Sequence, residues 1–183
     1  MITVVTPADP LTLVSLDEAK EWLKVDYTED DAIITMLIKS AYNWAEKFTN
    51  SSILERTLRL TDDFHIVRLP SGPVQSIVSV NRIARDGAIT AITDYSFREN
   101  LLTINEYFTY YCERPNEGIQ VTYVAGLPVA EVEEAYKEAI LKTVFSSYDI
   151  RGNEVTGTEG IAVSTTKITR EAKDILRSYI MYL

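Results

Sequence analysis

Between residues 28 and 50, TEDDAIITMLIKSAYNWAEKFTN, apolar residues recur at three- and four-residue steps more regularly than anywhere else in the chain. At that spacing Ile33, Ile34, Leu37, Ile38, Ala41, Trp44, Ala45 and Phe48 fall on one stripe of an α-helix. Thr28 stands where an N-cap is needed, Glu29, Asp30 and Asp31 sit where the helix dipole favours negative charge, and Asn50 can close the C-terminus in a left-handed conformation. A stripe this wide, carrying a Trp and a Phe, has to be covered by another part of the fold or by a neighbouring subunit.

On either side the pattern changes character. Residues 1–6 read as an extended arm, because Pro7 and Pro10 disfavour a helix there. Ser15 followed by Glu18 is a capping box, and Leu16, Ala19, Trp22 and Leu23 give the short helix behind it one apolar face. Residues 13–50 are therefore a helical hairpin of unequal arms. From residue 56 the period drops towards two: Leu58 and Leu60 share a face, and Ile66, Val67 and Leu69 make a second strand that Pro70, Ser71, Gly72 and Pro73 break. Residues 74–83 form a β-branched strand that turns at Asp86-Gly87 into a return strand over 88–92. Tyr95 and Phe97, residues 101–104 and residues 119–124 supply three more strands, with Val121 and Tyr123 set opposite Ile119, Gln120 and Val124 in the last. The aromatic stretch 105–117 reads as a loop. Helical periodicity returns over 132–148 through Val132, Ala135, Tyr136, Ala139, Ile140, Val144 and Phe145. Residues 151–166, with three glycines, read as a flexible loop, and a last helix capped by Thr166 or Thr169 carries Ile168, Ala172, Ile175, Leu176 and Tyr179 on one stripe. The expected class is α+β in a single domain over 1–183: the hairpin at 13–50, a mostly antiparallel sheet of short strands at 56–125, and C-terminal helices at 131–183 packing with the N-terminal ones.

Charge changes the picture of partners. The formal net charge of -9 opposes a broad nucleic-acid-binding face, since backbone phosphates would be repelled. Cys112, the single cysteine, excludes an intramolecular disulfide framework and suits a reducing cytoplasm. No secretory leader and no membrane span is legible. Candidate chemistry is sparse. His65, the single histidine, can share a strand face with Asp63 but not with Asp62, which leaves two ligands at most, too few for a metal site. Glu29, Asp30 and Asp31 lack the alternating oxygens and central glycine of a calcium loop. Gly152, Gly157 and Gly160 are too widely spaced for a phosphate loop, and Cys112 has only Arg114 nearby to activate it. Tyr107, Phe108, Tyr110 and Tyr111 lack the interleaved basic residues of a base-stacking platform and suit a protein contact instead. The expectation is no catalytic residue, no cofactor and no metal.

Four stretches, taken in order and spacing, resemble the head-tail connector or adaptor proteins of tailed bacteriophages and prophages. They are LVSLDEAKEWLKVD at 13–26, the helix from DDAII at 30–34 to AEKFT at 45–49, LPSGPVQSIVSV at 69–80, and VTYVAG at 121–126. The resemblance implies a non-enzymatic structural protein, which forms a ring beneath the portal with twelve copies as the candidate number. That ring would continue the DNA channel without sequence-specific binding and give tail-completion or stopper proteins a docking surface. It implies assembly in the host cytoplasm, then residence in the virion, with no membrane contact. Composition and position mark Arg151, Glu154, Ile161, Thr166, Ile175 and Tyr179, with Tyr107 and Tyr110, as candidate interface residues facing the portal or a neighbouring copy. The alternatives are a monomeric protein-binding module of a prophage and a metal-dependent hydrolase built on Asp63 and His65.

Overall fold

The structure, a computed structural model, describes residues 1–62, 66–84, 86–105, 118–156 and 170–181, and the side chains of these except 150–156. The chain divides into two compact units, a sheet unit (1–8 with 54–128) and a helical unit (9–53 with 129–182). The class is α+β, with antiparallel sheets of short strands and helices packed on one another.

In the sheet unit, five strands run antiparallel in the order β1-β2-β8-β4-β5: β1 (Ile2–Thr6), β2 (Arg56–Asp62), β8 (Gly118–Ala125), β4 (Val74–Ile83) and β5 (Ile89–Ala91). A second antiparallel sheet sets β7 (Leu101–Ile104) between β3 (Ile66–Arg68) and β6 (Tyr95–Arg98). Alternate residues of both sheets enter one core, in which Leu58, Leu60, Val67, Leu102, Val121 and Tyr123 are buried. Strand β8 differs from its sequence reading: Ile119 shares the core face with Val121, Tyr123 and Ala125, because the period-two alternation runs unbroken through Gly118–Ala125. The 1–6 segment also differs. It is no free arm but an edge strand in register with β2, Ile2 opposite Leu60 and Val4 opposite Leu58, and it is exposed along its length. At the predicted hairpin, Gly87 takes φ +84° and the Asp86 carboxylate accepts the Ala88 N–H at 2.9 Å.

In the helical unit, α1 (Leu16–Leu23) opens on the predicted capping box: the Ser15 hydroxyl accepts the Glu18 N–H at 3.2 Å, and the Glu18 carboxylate accepts the Ser15 N–H at 2.9 Å. Helix α2 (Asp31–Thr49) buries Ile34, Ile38, Ala41 and Ala45 and ends on Asn50 in the left-handed conformation. Its start is later than the sequence suggests. Asp30, not Thr28, is the N-cap residue, and no side chain caps the helix; Thr28 offers its carbonyl to the Asp31 N–H at 3.2 Å. Helix α3 (Glu134–Thr156) packs on α1 and α2. It runs eight residues beyond its expected end at Tyr148, so 151–156, read as the start of the 151–166 loop, are helical; 157–166 lie outside the described residues. Helix α4, described over 170–176, buries Ala172 and Leu176 and passes into a short 3-10 turn at Arg177–Tyr179.

The cap gives a pH test. Accepting the Ser15 N–H, with Lys137 beside it at 3.2 Å, holds the Glu18 carboxyl below its ordinary value of 4.5, against a smaller opposing effect of burial. A depressed folded value means that the contribution is complete above 4.5 and is lost as pH falls through the folded value. Glu18→Ala should cost about 1 kcal/mol at pH 7, a Tm lowered by about 3 °C. That gap should narrow below pH 4.5 in melts recorded from pH 7 to pH 3. A gap independent of pH would remove the carboxylate from the account.

Candidate functional site

The four stretches singled out in the sequence pair off inside the two units. In the sheet unit, the buried Tyr123 of β8 donates its hydroxyl to the Pro70 carbonyl at 2.8 Å, and the Gly126 N–H donates to the Pro73 carbonyl at 2.9 Å. The end of β8 thus holds both prolines of the Leu69-Pro70-Ser71-Gly72-Pro73 turn. Burial pushes the Tyr123 phenol well above its ordinary value, so it remains a donor. In the helical unit, Lys20 of α1 meets Asp31 at the N-terminus of α2 at 2.7 Å. Beside it Asp30 accepts from the Tyr148 hydroxyl of α3 at 2.6 Å and from Tyr27 at 3.2 Å, and the two phenol oxygens are 2.9 Å apart. The bond to Asp30, then that to Tyr27, raise the Tyr148 phenol. Asp30 and Asp31 therefore have specific partners besides the helix dipole. Sequence reading missed Tyr27 and Tyr148, whose only signal was two tyrosines flanking helix ends.

A second arrangement it missed lies at the other end of α2. Glu46 is buried, and one of its carboxylate oxygens accepts both the Tyr42 hydroxyl at 2.9 Å and the Ile53 N–H at 3.1 Å. Thr49 and Ser51 share a hydrogen bond of 2.7 Å beside it, and the Thr49 carbonyl accepts the Met181 N–H at 2.8 Å. The chain leaving α2 and the chain following α4 are fixed together at this point. The signal was a Tyr and a Glu four residues apart on the flank of the buried stripe.

Surfaces are less complete than interiors. Along α2, Ile33, Leu37, Trp44 and Phe48 are only half-buried, Met36 is 59% exposed, and Trp44 and Phe48 stack at 5.5 Å. On α1 and the connection after it, Trp22 is 45% and Tyr27 49% exposed. In the sheet unit the exposed edge strand β1 carries Ile2, Val4 and Val5. Elsewhere in the sheet unit Ile66, Val78, Ile89 and Leu101 are exposed as well.

Of the eight predicted interface residues, only Ile175 and Tyr179 have described side chains. Ile175 and Tyr179 are half-buried within their own chain: the Tyr179 hydroxyl donates to Glu133, which pushes its phenol up to about 12, and its ring lies 4.7 Å from that of Tyr136. Arg151 and Glu154 have helical backbone in α3. Ile161, Thr166, Tyr107 and Tyr110 lie outside the described residues, as do Asp63, His65 and Cys112. Among the described residues no group of three or more His, Cys, Asp or Glu is placed to hold a metal ion, and no helix is long and apolar enough to cross a membrane.

The profile of a family described as phage gp6-like head-tail connector protein matches residues 13–179. Among solved structures, a chain in the neck of an empty gene transfer agent (GTA) particle, computed with C6 symmetry, superposes with a TM-score of 0.68 at 15% identity, over 81% of this chain and 84% of that one. A chain from the virion of a native GTA particle gives 0.66 at 16%, over 81% and 84%. A chain from the neck of a native GTA particle, computed with C12 symmetry, gives 0.67 at 15%, over 81% and 83%. No curated protein matches by sequence.

Proposed function

Because the chain belongs to the phage gp6-like head-tail connector family, we propose that it is a structural component of the virion neck, closing with its own copies into a ring under the portal and continuing the DNA channel. The observation that carries this reading is the extent of the family match, residues 13–179, which takes in both compact units. A ring of six or twelve copies is the form we favour, in keeping with the symmetry of the GTA necks whose chains share the fold. The portal lies above such a ring and tail-completion or stopper proteins below it. Assembly then occurs in the host cytoplasm before the ring enters the virion. The net charge of -9 suits a conduit, since acidic walls let DNA pass without retaining it. The candidate contacts at Arg151, Glu154, Ile161, Thr166, Ile175, Tyr179, Tyr107 and Tyr110 belong to this reading, as surfaces offered to the portal or to a neighbour.

Native mass by light scattering over a wide concentration range tests it. A closed oligomer at six or twelve times the 20.7 kDa protomer is the expected result, alone or on addition of the cognate portal. A monomer at every concentration that also fails to co-sediment with the portal would overturn the reading in favour of a monomeric binding module.

A further inference from the structure

Within the helical unit, two outward faces carry opposite charge around exposed apolar side chains. Helix α2 contains Asp31, Lys39, Glu46 and Lys47, but Asp31 is paired with Lys20 and Glu46 is buried. Its exposed charges are therefore both positive, in a chain whose net charge is -9. Lys39 and Lys47 stand beside Met36, Ser40 and Asn43, with the stacked Trp44 and Phe48 along the flank. Helix α1 and the connection after it present the reverse: Asp17, Glu21, Asp26 and Glu29 are exposed around Trp22 and Tyr27, with Lys24 the exposed cation among them. Lys39, Lys47, Asp17 and Glu21 make no ion pair with another described residue.

We propose that the lysine-bearing outer face of α2 on one copy docks against the acidic, Trp22-bearing outer face of α1 on the next copy, head to tail. The inference rests on the ring reading and names the contact that closes it. One copy carries both halves of the pair on different helices, so each copy can use one face towards each neighbour, which is the requirement for a heterologous ring contact. Apolar side chains at the centre of each face supply the area that association must cover. The opposed charges around them fix register and disfavour like faces meeting. A second copy is the occupant favoured over an unrelated protein because the complementary surface is already present on the same chain.

Charge reversal tests the contact. Lys39→Glu with Lys47→Glu should raise the protein concentration needed for assembly by about 100-fold, and so should Asp17→Lys with Glu21→Lys, since each places like charges across the contact. An equimolar mixture of the two variants should recover a closed oligomer of alternating composition, because each variant then meets only its complement; native mass spectrometry reads that alternation. All these positions are exposed, and circular dichroism checks that the variants stay folded. Should a reversed variant unfold, Lys39→Gln with Lys47→Gln replaces it, with a loss of about 10-fold expected. Reversed variants that assemble at the wild-type concentration, or a mixture that stays dissociated, overturn this contact and leave the ring reading standing. A wild-type protein that never self-associates, even with the portal, overturns both.

Discussion

Replacing Gly126 with alanine should destabilise the sheet unit by about 4 kcal/mol, the sum of a left-handed-backbone cost of about 1–2 and an overlap cost of about 1–3. Gly126 has φ +94°, and a Cβ built on it would stand 2.1 Å from the Leu54 carbonyl oxygen and 2.9 Å from the Glu55 N. Both contacts are backbone and cannot swing aside. Leu54 is bridged to Leu127, and the Glu55 N–H donates to the Leu127 carbonyl at 3.0 Å, so the strand entering β2 is held against the turn that leaves β8. Gly87 is the internal control. Its φ is +84° but nothing lies within 4 Å of its Cβ position, so Gly87→Ala should cost only about 1 kcal/mol, the backbone part alone. Urea unfolding followed by circular dichroism should therefore show a much lower midpoint for the Gly126 variant than for the Gly87 variant. Equal losses would mean that the close approach to Leu54 contributes nothing.

The parts of this fold that were legible in the sequence are those set by local physics. The capping box at Ser15 and Glu18, the left-handed Asn50 and the Asp86-Gly87 hairpin each need only a few neighbouring residues to form, and each stands where its pattern placed it. Strand β1 was harder, because its partner lies more than fifty residues away and Pro7 and Pro10 say only that the segment is extended. Gly152 and Asn153 signal a break, yet α3 continues through them to Thr156; a glycine inside a helix costs only about 1 kcal/mol, which the rest of a long helix can absorb. The α2 stripe was legible as a stripe, but not its division. Ile34, Ile38, Ala41 and Ala45 are buried while Ile33, Leu37, Trp44 and Phe48 are left half-buried, since periodicity gives the direction of a side chain and not what stands opposite it. The same reason kept the opposed charges of α1 and α2 out of view: an exposed lysine acquires meaning only when its acidic neighbours are known to be buried or paired. The interface residues proposed from composition fell where glycines and tyrosines gather, whereas exposed large apolar side chains in the described residues include Trp22, Met36, Ile2 and Val4, on α1, α2 and β1, with others on further strands of the sheet unit.

Glu46→Ala should destabilise the helical unit by about 3 kcal/mol, as much as a large truncation in its core. One carboxylate oxygen accepts from both the Tyr42 hydroxyl and the Ile53 N–H, and the alanine variant removes that buried acceptor from both. Hydrogen bonds to a charged acceptor are worth about 1.5–3 kcal/mol each, so the loss exceeds that of an exposed glutamate several-fold. The damage should spread along the chain, because the Ser51 N–H donates to the Glu46 carbonyl and the Thr49 carbonyl holds Met181. Glu46→Gln separates charge from geometry. Its amide oxygen can accept from the same two donors, so it should cost about 1 kcal/mol, whereas a variant as damaged as alanine would show that the negative charge itself is what the site requires. Trp22 and Trp44, the two tryptophans, both belong to the helical unit, so tryptophan fluorescence during urea unfolding reports the loss there. The Glu46→Ala transition should move to clearly lower urea than the Glu46→Gln transition. Glu46 is buried and Lys39 and Lys47 are exposed, so the two substitutions also distinguish a subunit that cannot hold its shape from one that holds it but cannot meet its neighbour. The first should lower the unfolding midpoint, and the charge reversal should lower only the tendency to assemble.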